Sequence, residues 1–243
     1  MKVKLIVFIL VAIVAATLGI MRISSRSNQG QLSELETAKE RGSIRWRAQA
    51  AKLKGEREIL LLGPFADYAT SVNNIDEVLS QFGVIVAQLV DKRSYVYEAD
   101  EIRTWHKFKV IENLSEKQLP RCASCGLPAG HLPQEMLPLN PDEILIETYG
   151  GTVDIDGIKV TMLDRQLPAF LETNKYLLFL STDPSGNVGL LRMGPIGIFT
   201  IRPNATIDSV SKKAHPFTSD VRVRYQNSLD RLRTDIQTRS RVR

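Results

Sequence analysis

From Glu143 to Ile201 the chain runs through one short β-like segment after another: Glu143 to Tyr149, Thr152 to Ile155, Ile158 to Leu163, Tyr176 to Ser181, Val188 to Met193 and Gly197 to Ile201. No stretch of a dozen residues with helical periodicity separates them, and a parallel sheet needs crossovers of that kind. The pattern therefore predicts a small antiparallel barrel or sandwich. Turn chemistry supports the count: Asp156-Gly157 stands between two alternating runs as a two-residue hairpin loop, and residues 183–187 separate a Leu-rich strand from its successor.

Earlier segments extend the series. Gly83 to Val90, with Val84, Ile85 and Val86, reads as a buried strand, followed by the more polar Tyr95 to Tyr97. After a turn at Glu98 to Glu101, Ile102 to Ile111 alternates. His106, Phe108 and Val110 point one way and Trp105, Lys107 and Lys109 the other, which predicts a half-buried strand with His106 at the edge of the core. Ser71 to Phe82 reads as a helix with Ile75, Val78, Leu79 and Phe82 on one face, Asn73 or Asn74 as cap, and Asp76 and Glu77 in the first turn. Just upstream, Ile59 to Leu62 is a short apolar run stopped by Gly63-Pro64. At the other end, Leu229, Leu232 and Ile236 recur at helical spacing among arginines and aspartates, predicting an amphipathic helix.

The N-terminus is of another kind. Lys2 and Lys4 precede an unbroken apolar run from Leu5 to Met21, closed by Arg22 and Arg26. A helix rising about 1.5 Å per residue over that run just crosses a hydrocarbon core of about 30 Å. Val14-Ala15-Ala16 offers a signal-peptidase-like site, yet the run continues through Leu18 to Met21 with no polar region before it, which favours an uncleaved anchor. The membrane is thus the first expected partner. Basic residues lie on both sides of the run, including Lys39 and Arg41 beyond it; a strict count favours a cytoplasmic domain, whereas a very short N-terminus usually stays inside. The expected location of the large domain is extracytoplasmic. Residues 24–58 read as a charged juxtamembrane stalk, because Leu32, Leu35, Ile44, Trp46, Ala50 and Leu53 are too irregular for a coiled coil and Gly42-Ser43 breaks any helix.

Composition limits the function classes. A charged fraction of 24% and a hydrophobic fraction of 43% are those of a folded chain. The net charge of +5 sits largely in two flanks, Lys39 to Arg57 and Arg222 to Arg243. Aromatic residues make up only 7% and do not interleave with basic ones, so nucleic acid is not the expected partner.

One constellation carries chemistry. Cys122-Ala-Ser-Cys125 lies in a Pro- and Gly-rich loop, Pro120 to Pro141, with His131 close by. Two thiolates and an imidazole are three candidate metal ligands, Cys122, Cys125 and His131, with His106 or His215 to complete the set. A zinc ribbon would need a second CxxC, haem attachment would need His where Gly126 stands, and redox use normally places the pair at a helix N-terminus. A structural disulfide or inert thiols are the remaining readings. Asp154-x-Asp156-Gly157 lacks the third acidic ligand and closing Glu of a calcium loop and reads as a turn, while Asn204-Ala-Thr206 is a glycosylation sequon. No Gly-x-Ser-x-Gly, Gly-Lys-Ser/Thr loop or His-Glu-x-x-His occurs, so neither catalytic residues nor a cofactor are assigned.

The segments FGVIVAQLVDKRSYVY (Phe82 to Tyr97), EIRTWHKFKVIENL (Glu101 to Leu114), EILIETYGG (Glu143 to Gly151), NKYLLFL (Asn174 to Leu180) and GPIGIFTI (Gly194 to Ile201) together resemble the OB-type barrel of the netrin-like and TIMP-like group of bacterial exported or membrane-anchored proteins. The resemblance spans Ile75 to Ile201 and implies a binding module outside the cytoplasm, not an enzyme. Metalloprotease inhibition is not implied, since it depends on a free N-terminal cysteine and the cysteines here lie deep in the chain. The expected organisation is a signal-anchor transmembrane helix (1–23), the stalk (24–58), a mainly β, OB-like antiparallel barrel (59–203) with a loop insertion at 115–142 carrying the CxxC, and a basic segment (204–243) with the C-terminal amphipathic helix. The expected function is a membrane-anchored, extracytoplasmic, non-enzymatic interaction module with a protein partner. Two alternatives stand beside it: a thiol redox or metal-binding protein using Cys122, Cys125 and His131, and a cytoplasm-facing anchor that holds anionic lipid or nucleic acid through its basic flanks.

Overall fold

A computed structural model describes residues 42–63, 72–115, 117, 133–167, 169–181 and 193–241. The apolar run Leu5 to Met21, the loop residues Cys122, Cys125 and His131, and residues 188–192 of an expected strand lie outside them. Among the described residues no helix is long and apolar enough to cross a membrane.

The elements are, in order, α1 (Ile44–Leu53), β1 (Glu58–Leu62), α2 (Ile75–Gln81), β2 (Phe82–Tyr97), β3 (Glu101–Asn113), β4 (Glu143–Tyr149), β5 (Gly151–Ile155), β6 (Ile158–Leu163), β7 (Lys175–Ser181), β8 (Ile198–Ile201), β9 (Ile207–Ser209), α3 (Pro216–Tyr225) and α4 (Leu229–Arg241). They form a mainly β fold with two sheets. The larger has the order β4-β3-β2-β7-β8-β9, antiparallel throughout, and the smaller has the order β1-β6-β5.

The expected closed barrel does not form among the described residues. Among the described residues β4 and β9 are the opposite edges of the large sheet, with no pairing between them. The physical reason lies in what covers its two faces. On one, Val84, Val86, Leu177, Phe179 and Phe199 pack against Ile75 and Val78 of α2, Phe217 and Val221 of α3, and Leu232 and Ile236 of α4. On the other, Ile85, Leu89, Phe108, Ile146 and Leu178 pack under Leu167 and Phe170. Helices and a loop bury what closure would otherwise have to bury.

The small sheet departs further from expectation. β5 and β6 form the foreseen hairpin, with Asp156 and Gly157 both at positive φ (54° and 80°), as a two-residue primed turn requires. β1, however, runs parallel to β6, from Glu58 opposite Lys159 to Leu62 opposite Leu163. Ser43 does not merely interrupt a stalk: its side chain accepts a hydrogen bond from the Trp46 N–H and caps α1. Ile44, Ala48 and Ala51 of that helix bury against Ile158, Val160 and Met162, so residues 44–51 of the expected stalk pack onto the sheet and Glu58 enters it as the first residue of β1.

Local signals explain the remaining elements. Asn74 Oδ1 accepts from the Glu77 N–H at 2.9 Å and Glu77 Oε2 accepts from the Asn73 N–H at 3.1 Å, fixing the start of α2. At its other end the Lys117 ammonium donates to the carbonyls of Leu79, Ser80 and Phe82. In α4, Leu229, Leu232 and Ile236 are buried as their spacing predicts. The strand expected to be half-buried is buried on both faces at its centre, with Trp105 and His106 only 1% and 5% exposed. Met136 and Leu145 cover Trp105, whereas Lys107 and Lys109 pair with Glu143 and Asp142 farther along.

Candidate binding cleft

β2 changes character along its length. Its pairing with β3 slips by one residue between Leu89 and Asp91, leaving Val90 as a bulge. The slip resets the alternation, so Lys92 and Ser94 follow Leu89 on one face of the sheet. Two rows of neighbours then cross that face, Lys92–His106–Ile146 and Ser94–Thr104–Thr148. Residues that are apolar in the first half of the sheet give way here to an amine, an imidazole and hydroxyls.

Immediately beyond, the chain leaves β4 in the large sheet and enters β5 in the small one through Gly150 and Gly151. Gly150 takes φ +80° and Gly151 φ +137°. A Cβ on Gly151 would stand 2.1 Å from Thr104 Oγ1 and 2.4 Å from Ser94 Oγ, so no other residue fits. The contact is stitched by hydroxyls. Thr104 Oγ1 donates to the Gly150 carbonyl at 2.6 Å, Ser94 and Thr104 share a hydrogen bond of 2.8 Å, and the Thr152 N–H donates to Ser94 Oγ at 3.2 Å.

This junction holds the two sheets at either side of a cleft of about 1170 Å³. Lys92, Ser94, Thr104, His106 and Thr148 line it from the large sheet, Thr152, Thr161 and Leu163 from the small one, and Leu167 and Phe170 from the connecting segment. The His106 ring meets Phe170 edge-on at 5.0 Å and stacks on Phe108 at 6.3 Å. Burial, aided by the nearby Lys92 charge and opposed by backbone hydrogen bonding at Ile146 and Thr104, pushes the imidazole down to about 4, so it is neutral at pH 7. Its Nδ1 is closed from water and has no hydrogen-bond partner among the described residues.

Charges around the cleft are unequally engaged. Asp154 accepts from the Gly157 N–H, and Asp164 accepts from the N–H groups of Gln166 and Leu167 at 2.7 and 2.8 Å. Arg93 pairs with Asp91. The Lys92 ammonium makes no ion pair or hydrogen bond among the described residues. The arrangement offers a bound group the Lys92 ammonium, an imidazole and hydroxyls beside apolar rings, with Arg45 of α1 lining the same cleft.

Of the residues singled out from sequence, Cys122, Cys125 and His131 lie outside the described residues. The two histidines considered as a further ligand have separate settings: His106 lies in the cleft floor and His215 caps α3, its Nδ1 accepting from the Phe217 N–H at 3.2 Å. Among the described residues no three His, Cys, Asp or Glu side chains gather as a metal site. Asp156-Gly157 is a hairpin tip, and Asn204 accepts from the Thr206 backbone and hydroxyl in a local turn. Sequence reasoning missed Lys92, Ser94, Thr104, Thr148 and the Gly150-Gly151 crossing as a site. The available signal was a strand that turns from apolar to polar just past its middle. Comparison of the chain with protein-family models, with curated proteins and with solved structures finds no significant match.

Proposed function

We propose that this chain is a membrane-anchored, extracytoplasmic interaction module, non-enzymatic, which holds a protein partner at the cleft between its two sheets. The cleft itself carries the reading: it is large, strands of both sheets form its two walls, and its glycine junction fixes those walls relative to each other. The apolar run Leu5 to Met21 between basic residues supports the anchor. The resemblance of Ile75 to Ile201 to netrin-like domains supports a binding role. Site-specific photo-crosslinking in intact cells tests the proposal. A benzophenone amino acid replacing Thr152, at the cleft lip, is expected to capture a discrete protein species, whereas the same probe replacing the 76%-exposed Val223 of α3 is not. Equal capture at both positions, or none at Thr152, overturns it. Membrane-impermeant maleimide applied to Cys122 and Cys125 in intact cells, before and after reductant and again after permeabilisation, tests the orientation: labelling that needs permeabilisation but no reductant places the domain inside.

A further inference from the structure

We propose that the cleft floor around Lys92 and His106 is a binding site for a small organic anion, a carboxylate or a phosphate monoester, whose oxygens meet the Lys92 ammonium and the imidazole N–H. This rests on the reading of the cleft as the binding surface and names the chemistry that it selects.

Four observations converge on it. Lys92 and His106 are direct cross-strand neighbours on the same face, brought there by the bulge at Val90. The same bulge carries Asp91 to the opposite face, where it pairs with Arg93, so no carboxylate follows Lys92 into the cleft from its own strand. The acids that do line the cleft are held elsewhere: Asp154 and Asp164 accept backbone N–H groups in turns, and Asp156 stands at the hairpin tip. The imidazole is the most deeply buried ionisable group lining the cleft, and its Nδ1 has no partner among the described residues.

The surroundings fit a small organic anion better than a bare ion. Phe170 and Leu167 offer apolar surface for a carbon skeleton beside the charged end. The hydroxyl of Thr148, in the row next to His106 on β4, offers a further donor. Lys92 is the cation that β2 brings beside His106, and Arg45 of α1 lines the same cleft, so the charges available there suit an anionic group.

The test is NMR of the full chain in detergent micelles with ring-labelled histidine, where three residues, His106, His131 and His215, give three sets of signals. Succinate and inorganic phosphate are the probes. The expected result is a saturable shift of the His106 signals, with those of His131 and His215 unmoved, and a half-saturation that rises by about tenfold or more in Lys92→Gln, as for loss of one charge-assisted contact. Lys92→Arg should restore most of it. A response to succinate alone assigns a carboxylate ligand, and a response to phosphate alone assigns a phosphate ester. Absence of a His106 shift with either probe overturns the proposal, as does an unchanged half-saturation in a folded Lys92→Gln chain. If Thr152 crosslinks persist while neither anion binds, the anion site falls and the interaction module stands; if the anions bind and no crosslink forms, the reverse holds.

Discussion

The two halves of β2 share one strand and one set of backbone hydrogen bonds, yet they do different work. From Phe82 to Leu89 nearly every side chain is buried, with helices on one face and the Phe108–Phe170–Tyr176 rings on the other. From Asp91 to Tyr97 the strand is exposed or half-buried and carries Lys92 and Ser94 into the cleft. One bulged residue separates the two regimes. Burial on both faces supplies the stability, and a polar, partly covered end of the same sheet supplies a surface with unsatisfied chemistry.

Perturbing each half should break this contrast in a characteristic way. Phe179→Ala removes a ring that contacts both Phe199 and Phe217 in the apolar half. It should cost about 4 kcal/mol in urea denaturation and leave the cleft residues themselves untouched. The next largest effect belongs to the polar half. His106 titrates near 6.5 when unfolded and near 4 when folded, so the unfolded chain takes up the proton first. Its contribution is fully present above pH 6.5 and should be lost as the pH falls toward 4, to a total of about 3 kcal/mol. Stability measured across that window should flatten in His106→Gln; a wild-type curve already flat from pH 6.5 to 5 would contradict the placement of the imidazole.

Gly151→Ala probes the boundary between the regimes. The added methyl collides with Thr104 and Ser94 at a strained φ, and a loss of about 2 kcal/mol is expected. The loss should come with changed amide signals for Ser94, Thr104 and Thr152, whereas the α3 and α4 signals stay in place. The smallest effect is at the surface of the apolar half, where Asp76 receives Arg224 and Arg239 at 2.7 and 2.5 Å. These partners hold its carboxyl at about 2, so the pairing stabilises the fold above pH 4 and is lost as the pH falls from 4 to 2. Since the Asp76 side chain is 51% exposed, solvent screening limits Asp76→Asn to about 1 kcal/mol, read as a midpoint shift that shrinks at high salt.

These arginines also revise the meaning of the charge count. Arg224, Arg233 and Arg239 belong to the basic C-terminal flank, yet they bind Asp76, Glu112, Asp230 and Asp235. Three of the seven arginines in that flank clamp α3 and α4 onto α2 and β3 instead of facing outward unpaired.

What could be read from sequence was whatever is decided within a few residues. Glu143 to Tyr149, the Asp156-Gly157 hairpin, the Asn74 cap and the Leu229, Leu232 and Ile236 stripe all carry their signal locally, and the structure has them where the patterns put them. β1 was invisible as a sheet member because its partner is parallel and far away in sequence. The packing of α1 was missed for a related reason: Ile44, Ala48 and Ala51 look too sparse to need a core until Val160 and Met162 are brought beneath them. The cleft was hidden by a single unpaired residue. Alternation counted through Val90 assigns Lys92 and Ser94 to the wrong face, and with them the pairing of amine and imidazole.

The parallel pairing of β1 with β6 also sets an order of assembly. Glu58 meets Lys159 across about one hundred intervening residues, and contacts of such long range form slowly because the loop must close before they reward it. A chain emerging N-terminus first therefore exposes β1, with Leu60 and Leu62 still 65% and 64% accessible in the finished fold, until the whole β5–β6 hairpin has followed. The strand made first thus finds its partner only after β6 has been synthesised.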